Sequence, residues 1–389
     1  MKILFLTYYF EPDLCAGSFR NTSLFKTLSE KLKETDSIDV ITTHPNRYDS
    51  YKVEADNIEK RGGNITINRI RIPNHNSGLM GQIKSFKVFY TEALKIAKKG
   101  NYELVYASSS RLFTAFLGSR LAKKNKAKLY LDIRDIFRES IIDIFKNPIV
   151  KVSLDLFLRP IEKYTFKKAS HINLVSKGFE SYFSKYKQCT YSFYTNGIDD
   201  VFLKSRKNIQ AENVSIKTIV YAGNMGEGQG LHIILPKIAK AFPNDFKFIL
   251  YGDGGAKQKL LLAIKDAGVH NVEVRNPINR NLLIEAYQKA DFLFLHLNTY
   301  KAFERVLPSK LFEYGAFEKP IIAGVGGYAA EFLKEHMSNT ILFDPGDVET
   351  FIKKLNAYTY TMGLRKGFVE KFSREKINTA MADSIIKLA

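Results

Sequence analysis

The stretch RVLPSKLFEYGAFEKPIIAGVGGYAAEF, residues 305–332, reads as a polar loop, a short helix, a tight turn, a buried strand and a glycine loop that runs into a further helix. Pro308 and Ser309 are helix-start signals. The first backbone amides, those of Ser309, Lys310 and Leu311, are therefore expected to point out of the first turn toward an anion. Lys310 adds a mobile positive charge. One turn further on, Glu313 is placed to accept hydrogen bonds from two hydroxyls, as the vicinal diol of a ribose offers. An anion beside a diol describes a nucleoside diphosphate. After Glu318-Lys319-Pro320 ends the helix, Ile321-Ile322-Ala323 has the apolar run of a parallel strand, and Gly324, Gly326 and Gly327 let a ligand approach the backbone. The same string also suits an ordinary helix–turn–strand unit of an α/β domain.

The alternation extends in both directions. In the first half, strands are expected at 2–8, 39–43, 65–72, 104–107 and 128–132, with helices at 18–33, 80–99 and 113–123. The second half restarts with a strand at 218–221, a helix from 231, a strand at 246–251, a helix from 256, a strand at 272–274, a helix at 281–289 and a strand at 292–295. This predicts two facing, Rossmann-like, doubly wound α/β domains. The expected division is 1–198, 199–372, and a closing helix in 373–389 that packs back on the first domain.

Composition narrows the function classes. A chain of 389 residues with 45% apolar residues is long enough for about two well-cored domains. Cys15 and Cys189 are the only cysteines, which excludes a disulfide framework or a thiolate metal site and suits a reducing, cytosolic compartment. The opening MKILFLTYYF is a first strand rather than a signal peptide, because its apolar run stops at Glu11-Pro12. No window reaches the roughly 18 consecutive apolar residues needed to span a bilayer. A net charge of +19 implies an anionic partner. No nucleic-acid recognition motif is present, so phosphorylated substrates and anionic membrane surfaces lead.

Two glycine loops follow strands. In YAGNMGEGQG (221–230), Gly223, Asn224, Gly226 and Gln229 lie where a strand-to-helix turn binds phosphate, and in YGDGG (251–255) Gly252 lies at another strand end. Neither has the dinucleotide or P-loop spacing, which argues against a dehydrogenase and an ATPase. In LDIRD (131–135), Asp132, Arg134 and Asp135 could orient sugar hydroxyls or accept a proton, or could simply neutralise one another. The histidines have no metal-ligand spacing, and His44, His171 and His296 read as strand-end or loop residues.

Taken together, the glycine loop at 223–230, GDGG at 252–255, PSKLFEYGAFEKP at 308–320 and the glycine loop after it resemble glycosyltransferase family 4, whose members are retaining nucleotide-sugar enzymes of the GT-B fold. Glu11-Pro12, Gly17, Arg20 and LDIRDIFRES at 131–140 resemble its bacterial surface-polysaccharide branch, including N-acetylfucosamine transferases. The resemblance places Glu313 at the second glutamate of the family's E-x7-E pair, the one that holds ribose. Arg305 stands where the first glutamate falls, with Glu304 one place away. The family's phosphate-binding arginine and lysine fall at Asn224 and Gln229, so the diphosphate charge must be met elsewhere, with Lys310, Arg305 and the helix amides of Ser309 and Leu311 as candidates. Asn276-Pro277-Ile278 resembles the base-contacting segment.

What the resemblance implies is transfer of a sugar, of hexosyl or N-acetylhexosaminyl type, from a UDP-sugar to a lipid-linked acceptor in capsule, O-antigen or related polysaccharide synthesis. Gly17, Arg20, Arg134 and Asp135 are expected on the acceptor side, and Asp135, Lys310 and Arg305 at the chemistry. No metal or other cofactor is expected. A UDP-sugar epimerase of the same architecture and a non-enzymatic basic protein that binds membrane or nucleic acid are the alternatives. The basic helix at 80–99 carries Lys84, Lys87 and Lys95 beside Ile83, Phe86 and Phe89, and 141–168 repeats the mixture. Both are expected to lie on the anionic inner face of the cell membrane.

Overall fold

The computed structural model describes residues 1–47, 53–73, 79–109, 112–145, 147–204 and 216–389. They form two compact units, one of residues 1–196 with 375–389 and one of residues 197–374.

The first unit opens with β1 (Lys2–Thr7), α1 (Ala16–Lys31), β2 (Ser37–Thr43), β3 (Ile58–Arg61), β4 (Ile65–Ile70) and α2 (Leu79–Ala97). It continues with β5 (Leu104–Ser109), α3 (Leu112–Asn125), β6 (Lys128–Ile133), α4 (Phe137–Ile144), α5 (Pro148–Lys167), β7 (His171–Leu174), α6 (Glu180–Phe183) and β8 (Thr190–Ser192). Its sheet runs β3-β4-β2-β1-β5-β6-β7-β8. All pairings are parallel except β3 with β4, a hairpin turned by Gly62 in the left-handed region (φ 63°). The central strands are apolar on both faces, as a sheet covered by helices on two sides requires. Among the described residues the apolar core gathers Ile3, Phe5, Leu24, Leu28, Val40 and Tyr106. Met381, Ala382 and Ile385 of the chain's last helix join the same core.

The second unit comprises α7 (Asp200–Lys204), β9 (Lys217–Asn224), α8 (Leu231–Ala241), β10 (Phe246–Asp253), α9 (Lys257–Asp266), β11 (Val272–Arg275) and α10 (Arg280–Lys289). There follow β12 (Phe292–His296), α11 (Lys310–Gly315), β13 (Ile321–Gly324), α12 (Gly327–His336), β14 (Thr340–Phe343), α13 (Val348–Asn356), α14 (Lys366–Lys371) and the start of α15 (Arg374–Leu388). The sheet is parallel throughout, in the order β11-β10-β9-β12-β13-β14. The order reverses between β1 and β5 in one unit and between β9 and β12 in the other. Crevices at the carboxyl ends of strands flanking such a switch are where open α/β sheets bind ligands.

Two expectations about helices change. The helix expected to bind an anion at its start, α11, has only six residues. The Leu311 amide is not free, because it donates to the Pro308 carbonyl at 3.2 Å. The apolar side of the basic helix is also taken. In α2, Phe86 and Phe89 pack on Tyr8, Phe86 meets Phe113, and Tyr90 stacks on Phe116. Among the described residues, its lysines, Ile83 and Thr91 stay exposed.

Candidate active site

In the second unit the switch point brings together the ends of β9 and β12 and the start of α11. Gly223, the penultimate residue of β9, has φ 145°, and a Cβ there would collide with Cε and Nζ of Lys310. The positive φ is what favours glycine there, and the tip of the lysine lies directly against the backbone. The Lys310 ammonium sits 5.9 Å from the centroid of the Tyr221 ring, and among the described residues no hydrogen bond or ion pair engages it. Burial pushes its pKa down, and Glu313 opposes the shift through space. A desolvated cation without a partner is costly unless a ligand supplies the anion.

Glu313, half-buried on α11, accepts a hydrogen bond at Oε2 from the Tyr287 hydroxyl at 3.2 Å. Its other oxygen is uncommitted among the described residues. Ser309 caps α11 in helical conformation without a side-chain hydrogen bond. Arg305 ends the 3-10 turn Lys301–Arg305.

The two glycine loops brace each other. Met225 N–H donates to the Asp253 carbonyl and Ala256 N–H to the Met225 carbonyl. Asn224 and Gln229, expected to face the donor, are turned on one another instead. Gln229 Oε1 accepts from Asn224 Nδ2 at 2.7 Å and from the Gly226 amide at 3.2 Å. Two neutral amides in a tight loop satisfy each other at less cost than either would incur unpaired. Gln229 therefore shapes the loop. Asn276, at the head of the loop holding Pro277 and Ile278, accepts from Lys257 Nζ at 2.9 Å, and the same ammonium donates to the Gly252 carbonyl. This joins the expected base-contacting segment to the second glycine loop.

His296 and Asn298 complete the framework, and neither was singled out as a site residue from the sequence. Gly346 N–H donates to His296 Nε2 at 2.9 Å, so Nδ1 carries the proton and donates to the Gln229 carbonyl at 2.7 Å. Burial holds the imidazole neutral by pushing its pKa down. Asn298 Nδ2 donates to the Glu227 carbonyl, and its own amide to the Gly228 carbonyl. The only signal in the sequence was polarity at the end of the apolar run FLFLHLN. Beside this framework lies a cavity of about 230 Å³ lined by residues including Asn298, Thr299, Tyr300, Phe303, Glu304 and Gly327. Gly327 is left-handed (φ 51°), and a Cβ there would strike the Glu304 backbone. Glu304, one place from the position the family pattern prescribes, is thus a wall of the cavity.

In the first unit the LDIRD segment divides in two. Asp132 is fully buried and accepts from Arg20 Nε at 2.8 Å, Arg20 Nη2 at 2.9 Å, Asn173 Nδ2 at 2.8 Å and the Tyr106 hydroxyl. Arg20 is only 1% exposed, and its remaining donors go to the Tyr194 and Thr195 carbonyls. The expectation that Arg20 faces an acceptor is therefore corrected. A guanidinium this deep must be matched by a carboxylate, and it is spent on that match.

Gly17, Arg134 and Asp135 do come together. A Cβ on Gly17 would clash with the Arg134 guanidinium. Arg134 Nε is buried without a partner, and burial lowers its pKa. Asp135 accepts from the Ser140 hydroxyl at 2.8 Å, and burial raises its pKa to about 6. This end of the sheet therefore presents a guanidinium whose Nε has no hydrogen-bond partner, offset only through space by Asp132, beside a carboxyl group whose pKa burial raises to about 6.

Residues 216–359 match the family model described as glycosyl transferases group 1, which covers under half of the chain. No curated protein matches the sequence. Solved structures match over the whole length. HepE from Anabaena, in complex with UDP and glucose, is 16% identical with a TM-score of 0.61, covering 100% of this chain and 97% of its own. The lipopolysaccharide outer core galactosyltransferase WaaB, in its apo form, is 13% identical with a TM-score of 0.62 and 99% coverage of both chains. The trehalose-6-phosphate synthase OtsA is 10% identical with a TM-score of 0.70, covering 100% of this chain and 99% of its own. The chain therefore has the GT-B fold, and its second unit carries the sequence pattern of glycosyl transferases group 1.

Proposed function

We propose that the protein is a retaining glycosyltransferase that moves a sugar from a UDP-sugar to a lipid-linked acceptor, as in the assembly of a bacterial surface polysaccharide. The observation that carries this reading is the unpaired Lys310 ammonium held against Gly223 at the switch point of the second unit. A diphosphate is the anion suited to that position. Glu313 then takes the ribose hydroxyls, the segment at 276–278 the base, and the cavity beside Glu304 the sugar. The family match over residues 216–359 and the UDP and glucose bound to HepE support the donor class.

Chemically, the bond from the anomeric carbon to the diphosphate oxygen breaks as the acceptor hydroxyl attacks from the same face. The acceptor proton passes to the departing phosphate oxygen. Negative charge grows on the leaving group, and Lys310 stabilises it more in the transition state than in the ground state. Arg134 offers its unpartnered Nε–H to a phosphate of the acceptor, and Asp135 orients the attacking hydroxyl. In this reading the protein works at the cytoplasmic face of the membrane. Among the described residues no helix is long and apolar enough to cross it.

Release of UDP, measured on a panel of UDP-sugars with and without lipid-linked acceptors, tests the reading. Acceptor-dependent release is the expected result. Release of an epimerised sugar without acceptor would identify an epimerase, and silence on every nucleotide sugar would leave only a binding protein.

A further inference from the structure

Helix α5 is apolar on two sides. Its inner side buries Leu158, Thr165 and Phe166 with Glu162. Its outer side carries Ile149, Val152, Leu156 and Phe157, which are 74%, 59%, 66% and 60% exposed. Ile149, Val152 and Leu156 follow one another at spacings of three and four residues, so they form a single row along the helix, with Phe157 beside it. No other helix among the described residues exposes four large apolar side chains. Solvent does not favour such a row on a soluble surface.

The surroundings of the row are basic. Arg159, Lys163, Lys167 and Lys168 are exposed along the second half of the helix and just beyond it. Its carboxylates are already committed, Asp155 to Arg138 and Arg159 and Glu162 to Arg138. Helix α5 packs on α3, which packs on α2. The exposed Lys84, Lys87, Lys98 and Lys99 of the α2 segment extend the positive charge through the same layer.

We infer that the outer face of α5 docks on an anionic lipid bilayer, with the row of Ile149, Val152, Leu156 and Phe157 entering the interface and the flanking lysines meeting lipid phosphates. A second copy of the chain fits this face less well. Twenty residues of helix span about 30 Å, and one row of side chains offers a few hundred Å². That falls short of the roughly 800 Å² per partner of a stable dimer, and a two-fold contact would set like charges against each other. An interfacial helix needs only its apolar face and its cations. The docking face also connects to the acceptor side. Asp135 bonds Ser140 on α4, and Arg138 of α4 grips Asp155 and Glu162 of α5. The inference supplies the surface for the membrane contact proposed above and does not rest on the transfer chemistry, because its test reads binding alone.

The chain contains no tryptophan, so Phe157→Trp creates a single emission probe on the docking face. With full-length protein and vesicles of phosphatidylcholine containing phosphatidylglycerol, its emission is expected to shift to the blue and the protein to sediment with the vesicles. Both effects should weaken as salt rises. The double substitution L156S/F157S is expected to lower vesicle partitioning by about tenfold or more. Substitution of Leu262, 60% exposed on α9 of the second unit, by serine is expected to leave it unchanged. A probe that does not shift with acidic vesicles, or equal partitioning of L156S/F157S and the wild type, would overturn the inference. So would a blue shift that appears with rising protein concentration in the absence of lipid, which would identify a second copy as the occupant.

Discussion

Lys310 and Glu313 lie three residues apart on one short helix, yet the account gives them different kinetic roles. In the proposed reading Lys310 faces charge that grows as the donor bond breaks, so Lys310→Ala is expected to lower kcat by about 10²- to 10³-fold and to change the donor KM much less. A loss confined to KM would remove it from the chemistry. Glu313, in the same proposed reading, holds ribose hydroxyls that do not change during reaction. Hydrogen bonds to a charged group contribute about 1.5–3 kcal/mol, so Glu313→Ala should raise the donor KM by roughly ten- to a hundredfold. Unchanged donor kinetics would end the ribose assignment.

Asp135 gives a pH test with a definite sign. Burial raises its folded pKa to about 6, above the value of an exposed aspartate. The shift therefore strengthens folding at low pH, and that contribution is lost as pH rises through about 6. Activity should move the opposite way if the carboxylate is the working form, with kcat/KM for the acceptor rising through about pH 6. Asp135→Asn is expected to abolish that rise while melting no lower than the wild type at pH 8. A lower melting temperature with an unchanged pH profile would make the residue structural.

At the scale of elements, α1 is anchored by a buried ion pair in addition to its apolar face. Arg20 on α1 reaches Asp132 on β6 and the carbonyls of Tyr194 and Thr195, so one side chain ties three segments. Removing it strands Asp132 without its countercharge, and Arg20→Ala is expected to cost about 3–5 kcal/mol of stability in urea unfolding. A near-normal denaturation midpoint with lost transfer would return Arg20 to the acceptor side. This is also where the sequence was least legible. Arg20 and Arg134 both looked like acceptor contacts, because nothing in the local string reveals that Arg20 hydrogen-bonds Asp132 while Arg134 meets it only through space. The alternation of strands and helices was legible because the strands are continuous apolar runs. The β3–β4 hairpin was missed, since Ile58–Arg61 is a polar edge strand whose best signal is the Gly62-Gly63 turn. Helix α2 and the segment 141–168 were both read as membrane faces, because nothing in the local string reveals that the phenylalanines of α2 pack against partners far away in sequence while α5 leaves an apolar row exposed.

At the scale of the whole molecule, a charge of +19 required an anion without naming it. The structure offers cations at three distinct places: Lys310 in the second unit, Arg134 in the first, and the lysines around α5. In the account these correspond to a diphosphate, an acceptor phosphate and a lipid surface. Sugar transfer is the claim that joins them. The most direct measurement is the mass of a lipid-linked acceptor before and after incubation with UDP-sugars and the full-length protein. The account predicts a gain of one sugar residue with the wild-type protein and its loss with Lys310→Ala. An unchanged acceptor mass with every UDP-sugar, from a protein that binds UDP, would contradict it.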